Sequence, residues 1–320
     1  MRVPTTGAEE LVRELATVPG LELTRDEALA GHTTLRIGGP AEIWARVARE
    51  DALAALMRAV RSRETPFAVL GLGSNVLVPD EGLAGVVARL CGELGAVRVD
   101  GTRVEVGAAL PLAQLARRMA VQGLVGLEAL SGFPSTVGGA VVMNAGCYGT
   151  EIADVLESCL VVTPEGTTRH LEVGDLTPSY RATSLLGSGC IVTRAVFRLA
   201  GGDAGAAVQR IDDLNRKRRS SLPSGLPNAG SIFKNPPGDH AGRLIEACGL
   251  KGRVEGRAQI SPKHANVIVN LGGARALEVL ALMTEARDAV AAGFGVELEP
   301  ELVLTGSLPA LWREGAGARL

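Results

Sequence analysis

Apolar and polar residues recur along this chain with two periods, one typical of helices and one typical of strands. In residues 8–18 the apolar positions share a helical face, with two glutamates in the first turn. Helices are predicted at residues 8–18, 51–61, 111–122, 206–219, 241–248 and 274–292, the last closed by Gly293. Strands are predicted from short apolar runs at residues 41–47, 67–70, 190–199, 265–270 and 296–304.

Two β-hairpins are predicted between these elements. Residues 97–106 alternate between apolar and polar about Asp100-Gly101, which is a strong signal for a tight hairpin turn. Residues 160–173 form a second candidate, with its turn at residues 164–166. Antiparallel hairpins mixed with helices predict an α+β fold and not a doubly wound parallel sheet.

The length of the chain predicts two domains. A chain of 320 residues is longer than the about 100–200 residues typical of one domain. Gly201-Gly-Asp-Ala-Gly205 has the composition of a linker. We therefore expect a first domain over residues 1–201 and a second domain over residues 202–320.

The overall composition argues against several kinds of partner. Hydrophobic residues make up 46% of the chain and charged residues 21%, as in soluble globular proteins. A formal net charge of −2 gives no reason to expect nucleic acid or an anionic membrane as a partner. No apolar run approaches the about 18 residues of a membrane-spanning helix, and the first residues lack the order of a signal peptide. We expect a cytoplasmic protein whose oligomeric state stays open, a monomer included.

Cysteine and histidine usage gives no sign of a metal site. The five cysteines are odd in number, scattered and never in Cys-x-x-Cys spacing, which also argues against a disulfide framework. The four histidines form no helical pair. No metal is therefore expected.

Glycine is over-represented and clustered. The 41 glycines exceed the usual share of about 7%. Gly71-Leu-Gly-Ser-Asn75 follows an apolar strand, and successive backbone N–H groups in such a turn form a concave site suited to a pyrophosphate. The turn lacks the third glycine of the dinucleotide fingerprint, and we predict no βαβ unit around it, so a standard Rossmann domain is not expected.

Two further glycine segments extend this pattern. Small residues at most positions of 132–146 let an extended ligand lie against the backbone, although a tightly packed buried turn explains them equally well. Arg36-Ile-Gly-Gly39 adds a glycine turn beside a cation. Taken together, the three segments suggest a long diphosphate ligand that is touched at several places.

Asn228–Pro236 concentrates chemistry into nine residues. It combines a permissive glycine, the Ser231 hydroxyl, the Lys234 ammonium and two carboxamides. Such a segment suits phosphate binding, or the presentation of a serine to a reacting centre, but a polar turn has the same composition. All four lysines of the chain lie between residues 217 and 263, either for their compact ammonium groups or by chance.

The order of these segments resembles the UDP-N-acetylenolpyruvoylglucosamine reductase (MurB) family. The resemblance covers about residues 30 to 306 and rests on residues 33–41, 71–75, 126–128, 132–146, Tyr180-Arg181, 228–236, His264-Ala-Asn266 and Leu298-Glu-Pro-Glu301. The short distance between Arg181 and residue 228 resembles the subgroup that lacks a longer substrate-covering insertion. Gly132-Phe-Pro-Ser135 departs from the family's more frequent Gly-Ile-Pro-Gly.

The resemblance implies a flavoenzyme of peptidoglycan precursor synthesis. It implies an FAD-binding domain of the vanillyl-alcohol-oxidase (PCMH) type, with subdomains at about residues 24–92 and 93–200, followed by a C-terminal α+β domain for a UDP-sugar. NADPH would reduce non-covalently bound FAD. The reduced flavin would then pass a hydride to UDP-N-acetylglucosamine enolpyruvate, giving UDP-N-acetylmuramate.

The resemblance also implies roles for individual residues. Ser231 would donate a proton, and Arg181 and Glu301 would complete the catalytic set. The UDP-sugar would contact Tyr180, Lys234 and Asn235. FAD would be held by Arg36, Gly38, Gly39, Gly71, Gly73, Ser74, Asn75, Gly132, Thr136, Gly138, Gly139, Asn144 and Gly146.

Elementary chemistry is consistent with the catalytic roles. Hydride addition at the terminal carbon of an enol ether leaves negative charge beside the carboxylate, which an arginine stabilises. A glutamate helps only when protonated, so Glu301 needs a raised pKa. Each residue also has an ordinary alternative: Glu301 on a solvated strand with Glu297 and Glu299, Arg181 in a surface ion pair, and Tyr180 in packing.

Two other functions remain open from the residues alone. Another flavin oxidoreductase of the same fold would keep the glycine segments without needing Asn228–Pro236 and Glu301 together. A non-catalytic binder of a nucleotide diphosphate would contain no flavin.

Overall fold

The computed structural model describes residues 7–314. Its first layer is a four-stranded sheet in the order β1-β2-β5-β3. The strands are β1 Leu21–Ala28, β2 Pro40–Val47, β3 Phe67–Val69 and β5 Leu83–Leu90, and β4 Val76–Leu77 lies outside the sheet. Helices α1 Ala8–Leu15 and α2 Glu50–Ser62 share one apolar core with this sheet.

Strand β5 corrects an expectation about topology. It runs parallel to both β2 and β3, so β2, α2 and β3 form a βαβ crossover with β5 inserted between the strands. The prediction that no βαβ unit surrounds residues 71–75 was therefore wrong. The middle of β5 is buried, and a parallel strand of this kind reads as a continuous apolar run without the alternation that marks a half-exposed strand. The absence of a third glycine still distinguishes the turn from a Rossmann fingerprint.

The second layer is an antiparallel five-stranded sheet in the order β12-β11-β13-β7-β6. Its strands are β6 Val97–Asp100, β7 Arg103–Gly107, β11 Leu156–Val162, β12 Thr168–Glu172 and β13 Ile191–Arg198. Both predicted hairpins are confirmed, since β6 pairs with β7 across Asp100 and Arg103, and β11 pairs with β12.

Shorter elements complete this second layer. Helices α3 Leu112–Val121 and α4 Val137–Val142 contribute to the core beneath the sheet. The two-residue strands are β8 Leu124–Val125, β9 Gly146–Cys147, β10 Thr150–Glu151 and β14 Ala200–Gly201. The 3₁₀ turns of the structure are Leu29–His32, Gly92–Gly95, Glu128–Gly132, Ile152–Asp154 and Val173–Leu176.

The C-terminal part surrounds a separate apolar core. The helices around this core are α6 Ala241–Ala247, α7 Ala276–Phe294 and α8 Leu308–Glu314. Helix α5 Ala204–Ser221 precedes them and packs instead on α3. The strands of the C-terminal part are β15 Val254–Glu255, β16 Ala258–Ile260, β17 Ile268–Asn270 and β18 Val303–Leu304. The Asp203 side chain accepts a hydrogen bond from the Ala206 N–H and caps α5, so the helix begins inside the predicted linker 201–205, whose last two residues are helical.

Two predictions in this part were wrong in detail. Helix α7 contains Gly293 and ends instead at Gly295, which adopts a left-handed conformation with φ of 67°. The strand predicted at residues 296–304 is reduced to β18, because Pro300 has no N–H for a ladder and pairs with Phe233 only as an isolated bridge.

The two parts are joined by side chains and by backbone. Leu35, Ile37 and Leu77 of the first part belong to the apolar core of the second. Strand β4 pairs in parallel with β18, and Asp80 accepts the Ala276 N–H at the start of α7 at 3.0 Å. The predicted site residues of the two parts meet along this junction.

Candidate active site

Ser231 lies in an extended segment of the C-terminal part. The segment is entered through Gly230, whose φ of 72° places it in the left-handed region that favours glycine. The Asn228 side chain closes this turn by accepting the Gly230 N–H at 3.1 Å. Ser231 is half-buried, and its hydroxyl makes no hydrogen bond within residues 7–314. The hydroxyl is therefore available to a ligand.

Glu301 is held beside this segment by backbone hydrogen bonds. Its N–H donates to the Ile232 carbonyl at 2.8 Å, and its own carbonyl accepts from the Asn75 Nδ2 at 3.0 Å. Only 17% of the Glu301 side chain is exposed, against 73% for Glu299, and Glu297 is also exposed. The reading of Glu301 as one more solvated residue therefore does not hold.

Arg181 reaches Glu301 from the other part of the chain. The Arg181 Nε donates to Glu301 Oε1 at 2.9 Å, and both side chains are largely buried. Burial raises the pKa of Glu301, while Arg181, Lys234 and Arg218 act in the opposite direction. The arginine thus pairs with an acid at the domain junction, not with one on the open surface.

The backbone at Arg181 is strained. Arg181 has φ of 59°, and a non-glycine residue in this region costs on the order of 1–3 kcal/mol. The neighbouring Tyr180 ring lies 4.9 Å from the Arg181 guanidinium carbon and is 46% exposed. Strain of this kind persists where the surrounding structure over-determines the conformation, which occurs often at functional sites.

Lys234 and Asn235 continue the Ser231 segment. The Lys234 Nζ lies 3.3 Å from Glu299 Oε2, at the exposed edge of the junction. The Asn235 Oδ1 accepts the Ala241 N–H at 3.1 Å and so helps to begin α6. Asn235 therefore has a partner within the protein, whereas Lys234 keeps a half-exposed ammonium.

Residues 71–75 form a turn with unused backbone donors. None of the five N–H groups donates to another residue in the range 7–314. Gly73 has φ of 62°, and its carbonyl accepts a hydrogen bond from the Thr34 N–H at 3.0 Å. Successive free N–H groups in a glycine turn are the arrangement that binds a phosphate oxygen.

The segment that begins at Gly132 faces this turn. The Ser74 hydroxyl donates to the Pro134 carbonyl, and a Cβ on Gly71 would lie 2.7 Å from the Thr136 hydroxyl. The N–H groups of Phe133, Ser135 and Thr136 also lack an acceptor among the described residues. Two facing turns thus form one cradle of backbone donors.

Helix α4 does not add donors to this cradle. Val137 and Gly138 donate to the Leu110 and Ala108 carbonyls, each at 2.9 Å, and the Gly139 N–H donates to the Thr136 hydroxyl at 3.2 Å. Gly138 is buried, and a Cβ there would lie 2.9 Å from that of Ala108. Gly139 is exposed, and a Cβ built there would come no closer than 3.4 Å to any other atom.

The turn at residues 36–39 uses most of its backbone donors within the protein. The Arg36 N–H donates to Thr33 O at 3.2 Å and the Gly39 N–H to Pro79 O at 2.9 Å. Gly38 packs against Val78, and a Cβ on Gly39 would clash with the Asp80 backbone. These two glycines are needed because two chain segments cross here, while Arg36 remains exposed with φ of 55°.

Asn144 and Gly146 lie behind Arg181. Asn144 is 1% exposed, and its Nδ2 donates to Glu151 Oε2 at 2.7 Å and to the Ser179 carbonyl at 3.1 Å. A Cβ on Gly146 would lie 3.3 Å from the Arg181 Nη1. The polar group of Asn144 is thus used within the protein, and Gly146 makes room for the guanidinium.

Arg218 was missed by the sequence reading. Its Cδ lies 3.1 Å from where a Cβ on Gly132 would be, and its Nη1 lies 3.7 Å from Cys147 Sγ. Its charge acts on Glu301 and also contributes, after burial and Lys251, to lowering the pKa of His264. The basic run at residues 216–219 is the available signal, but cations at a helix C-terminus are common for electrostatic reasons alone.

Residues 7–314 contain neither a metal-ligating cluster nor a membrane-spanning helix. That range contains no group of three or more histidine, cysteine, aspartate or glutamate side chains placed to hold a metal ion. No helix in the same range has the length and apolar character needed to cross a membrane.

Comparison with known proteins identifies relatives along nearly the whole chain. Residues 41–172 match the "FAD binding domain" family, and residues 222–305 match "UDP-N-acetylenolpyruvoylglucosamine reductase, C-terminal domain". The chain is 44% identical over 300 residues to UDP-N-acetylenolpyruvoylglucosamine reductase 2 of Symbiobacterium thermophilum, covering 94% of this chain and 97% of the relative. It is 39% identical to the reductase of Halalkalibacterium halodurans, covering 93% of this chain and 99% of the relative.

A solved structure agrees with these sequence relatives. The UDP-N-acetylenolpyruvylglucosamine reductase (MurB) of Thermus caldophilus superimposes with a TM-score of 0.77 at 39% identity. The match covers 89% of this chain and 99% of that structure. The similarity therefore extends over both parts of the fold and their junction.

Proposed function

This chain belongs to the UDP-N-acetylenolpyruvoylglucosamine reductase family, and we propose that Ser231, Arg181 and Glu301 catalyse the family's reaction at the domain junction. The predicted family and the predicted α+β fold, with an FAD-binding domain of the vanillyl-alcohol-oxidase type, are confirmed. The enzyme reduces UDP-N-acetylglucosamine enolpyruvate to UDP-N-acetylmuramate, with FAD as cofactor and NADPH as co-substrate. The observation that carries the residue assignment is the pairing of Arg181 with Glu301 across 120 positions of sequence, beside Ser231.

The cradle of backbone donors supports a site for the FAD diphosphate. Residues 71–75 and 133–136 offer N–H groups that have no acceptor within residues 7–314 to a pyrophosphate, which carries the negative charge that such donors favour. Exposed Gly139 leaves room beside the cradle. FAD held there would supply the hydride for the reduction. Gly38, Gly39 and Gly138 support the shape of this region through packing, and exposed Arg36 would offer its cation to the diphosphate.

Arg181 and Glu301 are suited to the substrate carboxylate. When a hydride adds to the terminal carbon of the enolpyruvyl group, negative charge develops at the carbon next to the carboxylate and spreads onto its oxygens. Arg181 offers a delocalised cation to those oxygens. Glu301, whose pKa is raised by burial, can donate a hydrogen bond in its protonated form.

Ser231 is suited to deliver the proton that completes the reaction. Its free hydroxyl would protonate the carbon next to the carboxylate and then regain a proton from solvent. The net change is that the double bond gains one hydride and one proton while NADPH becomes NADP⁺. Serine is a weak acid, so a neighbouring cation such as Lys234 would have to favour its alkoxide.

The remaining assignments are proposals of the same kind. Exposed Tyr180 and half-exposed Lys234 are placed to contact the UDP-sugar, and Asn235 would help through the start of α6. The domain limits of 1–201 and 202–320 are supported by separate apolar cores, although α5 packs on α3 through Ala207 and Ile211. The cytoplasmic location and the monomeric option remain predictions.

An anaerobic visible spectrum of the purified protein tests the proposal. NADPH should bleach the flavin, and UDP-N-acetylglucosamine enolpyruvate should then restore its colour. Bleaching without recovery would favour another flavin oxidoreductase of this fold. Colourless protein that takes up no FAD would favour a non-catalytic nucleotide binder.

A further inference from the structure

Asn266 is a buried residue whose side-chain hydrogen bonds both go to the segment that carries Ser231. It belongs to the His264-Ala-Asn266 motif, and it is 3% exposed. Its Nδ2 donates to the Phe233 carbonyl at 2.8 Å, and its Oδ1 accepts the Phe233 N–H at 2.9 Å. One carboxamide thus satisfies both backbone groups of a residue two positions after Ser231.

The backbone of Asn266 extends this arrangement. Its carbonyl accepts the Ile232 N–H at 3.0 Å, and on the opposite edge the Ile232 carbonyl accepts the Glu301 N–H at 2.8 Å. The Ser231 segment is therefore held between Asn266 and the chain around Glu301. Among the described residues this segment forms only an isolated bridge, between Phe233 and Pro300, and no regular ladder, so the Asn266 side chain takes the place of a ladder partner on the other edge.

The chain on the other side of Ser231 is less constrained. Gly230 is left-handed, and a Cβ built there would meet no atom within 4 Å. Upstream of Gly230 the chain is anchored again, by the burial of Ala229 in the C-terminal core and by the Asn228 carbonyl, which accepts from the Thr34 hydroxyl at 2.7 Å. Directly beside Ser231, the hydrogen bonds from Asn266 fix the downstream side, while Gly230 on the upstream side has only the hydrogen bond of its N–H to the Asn228 side chain.

We propose that Asn266 is a positioning residue for Ser231 in the reduction of the enolpyruvyl group. The proposal rests on the proton-donor role given to Ser231 under the proposed function. Asn266 touches neither reacting group; it fixes the segment whose displacement by about 1 Å would reduce the rate by about 10²-fold.

The test separates the two half-reactions and uses a double-mutant cycle. The rate at which the substrate restores the colour of NADPH-reduced enzyme is measured for Asn266→Ala, Ser231→Ala and the double variant. We expect Asn266→Ala to slow this step by about 10²-fold and to leave flavin reduction by NADPH unchanged. In the Ser231→Ala background it should cause little further loss, because both changes remove the same contribution.

Asn270 provides the matched control. It is equally buried, and its side chain makes three hydrogen bonds, one more than that of Asn266: it donates to the Leu35 carbonyl and accepts from the Gly272 and Ala274 N–H groups. Asn270→Ala should lower the melting temperature to a similar degree, but any effect on the substrate step should add to that of Ser231→Ala. Coupling to Ser231 is therefore a readout that general destabilisation does not change.

The outcomes distinguish the two proposals. If Ser231→Ala leaves the substrate step unchanged, the role of Ser231 fails and this inference fails with it. If Ser231→Ala slows the step, but Asn266→Ala is silent or fully additive, only the positioning role is overturned. If Asn266→Ala does not fold, Asn266→Asp replaces it in the test. This variant keeps the acceptor for the Phe233 N–H and loses the donor to the Phe233 carbonyl, so it should slow the same step. The slowing should be smaller at low pH, where a protonated carboxyl donates again. A normal rate for Asn266→Asp at neutral pH would also overturn the positioning role.

Discussion

Apart from Arg181, which reaches Glu301 from the FAD-domain side, the two sides of the junction are built from different chemical groups. On the FAD-domain side, residues 71–75 and 133–136 present backbone N–H groups, and glycines leave space between them. On the C-terminal side, Ser231, Lys234 and Glu301 present side chains from two segments that backbone hydrogen bonds join. A backbone surface is damaged by adding a side chain, whereas a side-chain surface is damaged by removing one.

The largest effect is expected from Ser231→Ala on the side-chain surface. General acid catalysis by one group contributes about 10²–10⁴-fold, so the substrate step should slow by that order while flavin reduction by NADPH continues. Stopped-flow absorbance of each half-reaction measures this. Ser224→Ala, at an exposed serine of the preceding loop, is the control, and equal loss of both half-reactions in Ser231→Ala would contradict the proton-donor role.

Glu301→Gln sharpens the same side of the comparison. An amide N–H is a weaker donor to a developing anion than a carboxyl O–H, so turnover of Glu301→Gln should fall, by up to the about 3 kcal/mol of barrier that loss of a whole donor costs. Because burial raises the pKa of Glu301, the active protonated form should be lost as pH rises through that raised value. Wild-type turnover should decline along this limb, and the variant should lack the decline.

Glu297→Gln serves as the control for Glu301→Gln. Glu297 lies on the same stretch of chain but is exposed to solvent, so turnover and its pH profile should stay as in the wild type. Near-normal turnover of Glu301→Gln would show that its carboxyl does not act on the substrate.

The difference between the two sides also explains how much the sequence could predict. Ser231 and the glycine turns stand in short contiguous segments, and turn residues specify their local conformation. The hairpin at residues 97–106 was predicted for the same reason. Local signals of this kind do not depend on where the rest of the chain lies.

Features that depend on distant partners could not be predicted in this way. The Arg181–Glu301 contact joins residues 120 positions apart, and its distance and burial follow from the tertiary packing. Strand β5 was missed because its two buried faces give no alternation. Gly293 and Gly295 both suit a helix end, and only the packed structure selects Gly295.

On the backbone surface, the corresponding change is Gly139→Leu. Gly139 is exposed and its φ is not left-handed, so the fold should tolerate a side chain that would project beside the proposed FAD cradle. FAD affinity should fall by about tenfold or more, which is about 1.4 kcal/mol or more of binding free energy. Titration of apoprotein with FAD, followed by flavin fluorescence, measures this.

Gly201→Leu is the matched control for the backbone surface. Gly201 is also exposed, and a Cβ there would meet no atom within 4 Å. FAD affinity should remain unchanged in this variant, as should the melting temperature of both apoproteins. Equal FAD affinity in the Gly139 and Gly201 variants would remove Gly139 from the proposed FAD site.

The smallest effect concerns a carboxylate that resembles Glu301 only in its burial. Burial raises the pKa of Asp80 as it does that of Glu301, but Asp80 accepts the Ala276 N–H at the start of α7 and has no arginine at hydrogen-bond distance among the described residues. An acid with a raised folded-state pKa favours folding most when protonated, so its contribution is lost as pH rises from the ordinary value of 3.8 through the raised one.

Relative to Asp80→Asn, the wild type should therefore lose free energy of unfolding over that pH range. Urea titrations at several pH values measure this loss, and turnover of the variant should stay normal. A turnover defect in Asp80→Asn as large as that of Glu301→Gln would contradict this prediction. Asp80 would then belong to the reacting side chains and not to the structure that supports them.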